Sequence, residues 1–326
     1  MVDHNAPVCA VVVNWNGWRD TLVCLASLFA QRDVPLRIVV CDNGSTDDSV
    51  AELTGWLAAR GGAADGGGFE WPQQDNGVLS VHVVVLGANL GYAGGLNAGI
   101  DWARGRWQPR GFWLLNNDVE AEPGALAALL AAHASVADAG ICGSVLLDWD
   151  RPQEVQAVAG VYRRWLGVGW HDTRVEPGST VRIPVDYPVG ASMYVDAGFL
   201  ERVGPMDPGY FLYCEEMDWA ERGRRQGYRS LVALGSRLRH KEGASTGSRG
   251  GVRNKSLLSE RYGVTSRLRI TRKLWPQLLP VVWCSLAVVV ADRLLHGEWA
   301  RARLVAALMA SPSSWSGRDT QERGAS

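Results

Sequence analysis

Val8-Cys-Ala-Val-Val-Val-Asn14-Trp-Asn-Gly17 is the stretch on which the fold turns. Six apolar residues, most of them β-branched, run without interruption and then break into asparagines and a glycine. A short apolar run bounded by turn residues reads as a strand. One with no polar alternation is covered on both faces, as in a parallel sheet sandwiched by helices. Three further runs repeat the pattern. Leu36 to Cys41 ends in Asp42-Asn-Gly-Ser-Thr-Asp47, Val81 to Leu86 ends in a glycine-rich turn, and Gly111 to Leu115 ends in Asn116-Asn-Asp118. Between them Leu22, Leu25, Leu28 and Phe29 fall at helical spacing, as do Val50, Leu53 and Leu57, and then Leu96, Ile100 and Ala103. Ser45 or Thr46 can cap the second of these helices. Strands alternating with helices define βαβ units, so the expected fold is α/β with a mostly parallel central sheet flanked by helices.

Outside these units the pattern is weaker. Arg60 to Gly77, rich in Gly, Ala and Asp, reads as a surface loop. Glu154 to Tyr187 reads as irregular β or loop, Leu257 to Ala310 as helices, and Ser311 to Ser326 as a frayed polar tail. Leu278 to Ala291 is an apolar run of 14 residues, shorter than the ~20 needed to span a bilayer. It reads as a buried helix, with a helix lying on a membrane face as the alternative. Met1 to Pro7 is too polar for a signal peptide. The six cysteines show no CxxC or Cys/His ligand spacing, which favours reduced thiols in a cytoplasmic protein.

The net charge of -1 hides an uneven distribution. Fifteen basic residues lie between Arg222 and Lys273, opposed only by Glu242 and Glu260. Such a block suits a diphosphate or an anionic lipid headgroup, and equally a solvated surface. No nucleic-acid recognition motif accompanies it, so nucleic acid is not an expected partner.

The polar residues concentrate just after each apolar strand. In an open parallel sheet all such positions fall on the carboxyl edge, where ligands bind. Asn14, Asp42, Asn89, Gly91, Gly95, Asn97, Asn116 and Asn117 are the candidates for contact with a bound ligand. Turn chemistry explains any one of these loops, but not four on one edge. The glycine segment from Gly87 to Gly99 fits neither a dinucleotide fingerprint nor a phosphate loop. Asp118 at a strand tip offers a hard oxygen ligand of the kind Mg²⁺ or Mn²⁺ takes. A second acidic cluster, Tyr213-Cys-Glu215-Glu216-Met-Asp218, is framed by Tyr210, Phe211 and Trp219. Glu215 and Glu216 are each candidates for a general base. His240, ahead of Lys241, reads by pattern alone as a structural histidine.

Taken in order, these segments resemble the family 2 glycosyltransferases, especially the rhamnosyltransferase-like branch. The likeness runs from about Val8 to Pro276. It is carried by Val11-Val-Val-Asn-Trp-Asn-Gly17, Cys41 to Asp47, Asn89 to Asn97, Leu114-Leu-Asn-Asn-Asp118, Gly190-Ala-Ser-Met193, Tyr213 to Asp218 and His240. The resemblance implies a GT-A fold with a Rossmann-like nucleotide-binding half (1–120), an acceptor or catalytic half (121–255), a C-terminal helical extension (256–310) and a tail (311–326). It also implies inverting transfer from a nucleotide-diphosphate sugar with Mg²⁺ or Mn²⁺ as cofactor, dTDP-rhamnose being the first choice of donor and UDP- or GDP-sugars the others. Asp42 would contact the nucleoside, Asp118 and His240 would serve the metal, and Glu216 would be the base where the family usually has Asp. Thr265-Ser266 stand where this branch often has Arg-Asn. The implied acceptor is a saccharide or a lipid-linked saccharide, with peripheral membrane contact through the basic C-terminal part. Two other readings compete: a non-catalytic nucleotide-sugar or carbohydrate binding protein, and a sugar nucleotidyltransferase.

Overall fold

The computed structural model describes residues 6–65, 68–71, 77–241 and 256–315. The first half consists of β1 (Val8–Asn14), α1 (Trp18–Phe29), β2 (Pro35–Asp42), α2 (Ser49–Ala59), β3 (Ala63–Asp65), β4 (Gly68–Glu70), β5 (Gly77–Val85), α3 (Gly91–Arg106) and β6 (Gly111–Asn116). The second contains β7 (Val119–Ala121), α4 (Ala125–Ala134), β8 (Ala139–Asp148), β9 (Val155–Ala157), β10 (Ala159–Arg163), β11 (Val168–Asp172) and β12 (Val181–Arg182). It continues with β13 (Ser192–Asp196), α5 (Ala197–Val203), α6 (Glu215–Arg225) and β14 (Arg229–His240). Three helices follow: α7 (Leu257–Leu274), α8 (Leu279–Leu295) and α9 (Trp299–Ala310).

The main sheet runs β12-β14-β8-β13-β6-β1-β2-β5-β4-β3. β5, β2, β1 and β6 are mutually parallel, as the alternation of strands and helices requires. β13 then enters antiparallel to both β6 and β8. The chain reaches β13 through a long excursion of short strands rather than a crossover helix, so nothing forces it to run parallel. The sheet is therefore parallel at its centre and mixed from β13 to its β12 edge.

Alternation along each central strand divides the core between the two faces. Val8, Ala10 and Val12 with Leu36, Ile38 and Val40 pack against Leu25 and Leu28 of α1 and Leu53 and Leu57 of α2. Cys9, Val11, Val39 and Cys41 pack against Leu96 and Ile100 of α3 and Trp219 of α6. Full burial of one such side chain contributes about 1.5–3 kcal/mol. Gly99 lets α3 lie close to the sheet: a Cβ there would sit 2.4 Å from Val11 Cγ1 and 2.6 Å from Cys41 Sγ. The six cysteines are free thiols, five of them buried.

Four expectations need correction. The stretch from Arg60 to Gly77 is not wholly loop, since β3 and β4 form a hairpin that extends the sheet beside β5. The tail does not fray at Ser311: Pro312–Trp315 forms a short helix whose indole is buried against the C-terminal helices, and residues 316–326 lie outside the described part. The basic block is not an open patch. Its members are distributed among carboxylates, Arg222 to Asp218, Arg224 and Arg225 to Glu221, Arg229 to Asp138, and Arg269 and Lys273 to Asp207; Arg249, Arg253 and Lys255 lie outside the described residues. Finally, the apolar run at Leu278 to Ala291 is not buried. The helical stretch Pro276–Leu295 is 20 residues long with a mean hydropathy of 1.9, long and apolar enough to cross a membrane, and only 17% of its apolar window is buried.

Candidate active site

Register brings the polar strand tips to one level. Asn14 at the end of β1 pairs with Asp42 at the end of β2, and Val13 pairs with Asn116 at the end of β6. Behind these tips a chain of side-chain hydrogen bonds ties the loops together. Asn14 donates from Nδ2 to Asp42 Oδ1 (2.8 Å), Thr21 donates from Oγ1 to Asn14 Oδ1 (2.7 Å), and Asn117 donates from Nδ2 to Thr21 Oγ1 (3.1 Å). The other Asp42 oxygen accepts the Ser45 backbone N–H at 3.1 Å. Asn14, Asp42 and Asn117 are thus buried and already satisfied, and they shape the rim of the site from behind.

The loop after β5 is locked to the loop after β2. Asn43 donates to Asn89 Oδ1 (3.0 Å) and accepts from Leu90 N–H (2.9 Å). Gly91 has φ +73°, and a Cβ there would lie 2.4 Å from Phe211 O, so only glycine allows this crossing. The adjacent Tyr92 N–H donates to the same Phe211 carbonyl at 3.0 Å. The glycine segment is thereby fastened to the turn that precedes Glu215. Gly95 and Asn97 are placed differently from Asn89. A Cβ on Gly95 would press on Val13, and Asn97 donates to Met206 O at 2.8 Å. Both positions serve packing within the domain.

Tyr213 and Cys214 have φ of +71° and +70°, an uncommon conformation for residues with side chains. This turn launches α6 with Glu215 and Glu216 in its first turn. Helix α7 braces it: Ser266 donates to Leu212 O at 2.9 Å, and Tyr262 stacks on Phe211 with centroids 4.5 Å apart. Ser266 belongs to the pair that replaces the branch's usual Arg-Asn, and its role here is this support. Asp218, fully buried, is neutralised by Arg222 (2.8 Å) and Lys273 (2.7 Å). Among the described residues the two glutamates have no ion-pair partner. Glu215 is buried, Glu216 partly so, and the Oε2 of each is a buried oxygen without a hydrogen-bond partner. Burial pushes the Glu216 carboxyl up to about 7, and burial together with the neighbouring Glu216 raises Glu215 well above its ordinary value.

On the opposite side, β7 and β14 pair Val119 with His240, which sets the imidazole beside Asp118. His240 Nδ1 lies 2.7 Å from Gln156 Oε1, an acceptor, so this nitrogen carries the proton and Nε2 is free to ligate. Nε2 is 3.4 Å from Asp118 Oδ1, a buried oxygen that receives no hydrogen bond. Burial opposes the charge on Asp118, but His240, Asn116 and a backbone hydrogen bond together hold the carboxyl below its ordinary value. An orphaned carboxylate oxygen beside an oriented imidazole is a donor set that fits a divalent cation. Among the described residues no group of three or more His, Cys, Asp or Glu is arranged to hold a metal, so a cation here would need further ligands.

Tyr92 joins the two sides. Its phenol donates to Gly190 O, and it lies within electrostatic reach of Glu215, Glu216 and Asp118, which add to burial in raising its pKa. Tyr187 stands near Glu216 in the same way. Thr21, Tyr92, Gln156 and Tyr187 escaped the sequence reading. Tyr92 lies within the Asn89 to Asn97 segment and could have been found there; the other three carry no local pattern.

The glycosyl transferase family 2 model matches residues 9–156, from β1 to β9. Over these residues the chain is similar to the family 2 glycosyltransferases. Sequence relatives extend the likeness beyond it. N-acetylglucosaminyl-diphospho-decaprenol L-rhamnosyltransferase of Mycobacterium tuberculosis is 26% identical over 245 residues, 68% of this chain and 72% of the relative. The low-salt glycan biosynthesis hexosyltransferase Agl10 of Haloferax volcanii is 26% identical over 218 residues, 66% of this chain and 61% of the relative. Among solved structures, GalNAc-T7 with UDP, GalNAc and Mn²⁺ superposes with a TM-score of 0.59 at 14% identity, over 85% of this chain and 49% of that one. The mannosyltransferase PcManGT of Pyrobaculum calidifontis, in complex with GDP-Man and Mn²⁺, gives 0.54 at 15% identity, over 98% of this chain and 88% of its own. These likenesses show that the chain has the GT-A fold, and it spans about half the length of the GalNAc-T7 chain.

Proposed function

We propose that this glycosyltransferase transfers a sugar, L-rhamnose first, from a nucleotide-diphosphate donor to a hydroxyl of a lipid-linked saccharide, with inversion at the anomeric carbon. The observation that carries the reading is the pair Glu215 and Glu216: two carboxylates without an ion-pair partner among the described residues, both within electrostatic reach of Tyr92, as is Asp118 beside His240. A carboxylate held near 7 accepts a proton from a hydroxyl at neutral pH far better than an ordinary glutamate. Glu216, the less buried of the two, takes that role, its affinity for the proton raised by burial. The acceptor oxygen freed of its proton attacks the anomeric carbon from the face opposite the diphosphate.

Asp118 and His240 would hold Mg²⁺ or Mn²⁺, which when bound supplies positive charge to the leaving diphosphate. Gln156 keeps His240 in the tautomer that ligates. The loops bearing Asn43, Ser45 and Asn89 form the cradle for the nucleoside, with Asp42 and Asn14 fixing their shape. The rhamnose and lipid-linked parts of the reading rest on the mycobacterial relative, whose printed name states both. Peripheral contact with a membrane would bring such an acceptor to the site.

A panel of dTDP-, UDP- and GDP-sugars tested by thermal shift, with and without Mn²⁺, identifies the donor, because a bound ligand stabilises the fold by mass action. NMR of the product then gives the anomeric configuration. A product that retains the donor's configuration overturns the inverting mechanism. Nucleotide binding indifferent to metal, with no turnover, returns the chain to the non-catalytic binding class.

A further inference from the structure

Helix α8 is apolar on both sides. Inward, Val282 and Leu286 pack on the C-terminal helices, and the buried Arg293 is paired with Glu260 (3.2 Å) and Glu298 (2.6 Å). Its outward side carries Val281, Trp283, Val288, Leu294 and Leu295, with Val288 69% and Leu295 86% exposed. Val281, Val288 and Leu295, spaced by seven, form one exposed stripe, and Trp283 with Leu294 flanks it on the other side of the outward surface. Burying arginine while exposing leucine reverses what water selects for, and an apolar face of this extent marks a contact with something apolar.

The face does not stand alone. The turn between β10 and β11 is pressed against α8: a Cβ on Gly167 would lie 3.2 Å from Val282, and Ser285 Oγ lies 3.4 Å from Leu166 O. That turn exposes Trp165 and, on β11, Trp170, with the exposed Arg163 stacked over both rings at 5.7 and 5.4 Å. Arg164, also exposed, lies over Trp275. On α9 the exposed Arg303 follows Trp299, itself 60% exposed. Asp292, the acidic residue at the edge of the α8 face, has His296 3.4 Å away. Indoles and arginines around an apolar strip match a bilayer interface, where rings sit at headgroup level and guanidinium groups meet anionic phosphates.

We infer that the outward face of α8, with the β10–β11 turn beside it, docks on an anionic lipid bilayer, the helix lying in the interface. The ion pairs of Arg293 and the packing of Val282 and Leu286 tie its inner side to the protein; crossing the bilayer would require breaking them. The same hairpin carries Tyr162, which packs with Trp275 beside Tyr210 and Cys214, so the docked surface adjoins the turn that leads to Glu216. The inference draws on the reading above for its purpose alone, the delivery of a lipid-linked acceptor.

The test is co-sedimentation of the full chain with vesicles of phosphatidylcholine alone or of equal parts phosphatidylcholine and phosphatidylglycerol. The wild type is expected to sediment with the mixed vesicles. The Val288→Asp/Leu295→Asp variant, altered only where side chains face outward, is expected to bind about tenfold or more weakly. Arg163→Glu/Arg164→Glu is expected to lose its preference for the anionic vesicles. Thermal melts and nucleotide binding unchanged from wild type show that each variant is folded. Wild type left in the supernatant with both vesicles, or Val288→Asp/Leu295→Asp binding as wild type does, overturns the inference. So does a dimer in light scattering that this variant splits while vesicles go unbound, which would assign the face to a second copy. Turnover of a detergent-soluble acceptor without vesicle binding defeats the docking surface alone, whereas vesicle binding without nucleotide-sugar recognition defeats the proposed function alone.

Discussion

Replacing Glu216 by glutamine changes an ionisable oxygen to an amide nitrogen of nearly the same shape, and the structure sets opposite expectations for stability and activity. The Glu216 carboxyl is pushed up to about 7 by burial, from an ordinary value of 4.5. Because the folded state binds this proton more tightly than the unfolded chain does, the stabilisation is fully present below about pH 4.5 and is lost as the pH rises through about 7. At pH 8 the ionised group costs the folded state up to about 3 kcal/mol by that linkage. Glu216 is only partly buried, so solvent screening reduces the expected figure to about 1–2 kcal/mol. The Glu216→Gln variant should therefore be more stable than the wild type by about 1–2 kcal/mol at pH 8, with the difference shrinking towards pH 5. Sugar transfer by the same variant should fall by about 10²–10⁴-fold, with donor binding retained. Urea unfolding at pH 5 and pH 8, paired with turnover measured by product NMR, reads both quantities. In the wild type, kcat/KM should decline as the pH falls below about 7, where the base becomes protonated. A variant with wild-type turnover and a wild-type stability profile against pH would refute the assignment. A loss of activity confined to Glu215→Gln would move the base to the neighbouring residue.

Other substitutions probe the supports of the site. Gln156→Leu removes the acceptor that orients His240 and should weaken Mn²⁺ binding by about 10–100-fold, read by calorimetry in the presence of nucleoside diphosphate; unchanged affinity would leave Gln156 without a part in the site. Gly91→Ala forces a Cβ against the Phe211 backbone at a positive φ, and should cost at least about 2 kcal/mol by chemical unfolding while lowering donor affinity. Thr21→Val removes the hydroxyl shared by Asn14 and Asn117, with an expected loss of about 1–3 kcal/mol; a melt indistinguishable from wild type would show that the Asp42-to-Asn117 chain is not needed to hold the rim.

Much of this arrangement was legible from the order of residues. The strand at Val8 to Asn14 and its parallel neighbours are written in uninterrupted apolar runs, because a strand covered on both faces has no reason to alternate. The polar tips Asn14, Asp42, Asn116 and Asp118 follow from the same rule, since parallel strands end on one edge. Glu215 and Glu216 stood out because the aromatics Tyr210, Phe211, Tyr213 and Trp219 around them pointed to a partly buried site, where an acidic helix start alone would be exposed. The roles of individual polar residues were less legible. Asn97 and Gly95 sit in the same segment as Asn89 yet serve packing, and Asn117 supports α1 rather than facing outward, because which side of a helix or turn meets solvent depends on what packs behind it.

Chain chemistry by itself determined that this protein has an α/β sheet with chemistry-bearing loops along one edge, since local periodicity and turn preference act over a few residues and need no distant partner. Only the tertiary structure decided which distant groups meet. It set Gln156 against His240 across 84 residues of sequence, neutralised Asp218 while leaving Glu215 and Glu216 without an ion pair among the described residues, and spread the basic block among carboxylates. It also decided that α8 turns its apolar side outward. An apolar run states only that a helix avoids water; whether protein or something else meets it depends on which face its neighbours have already covered.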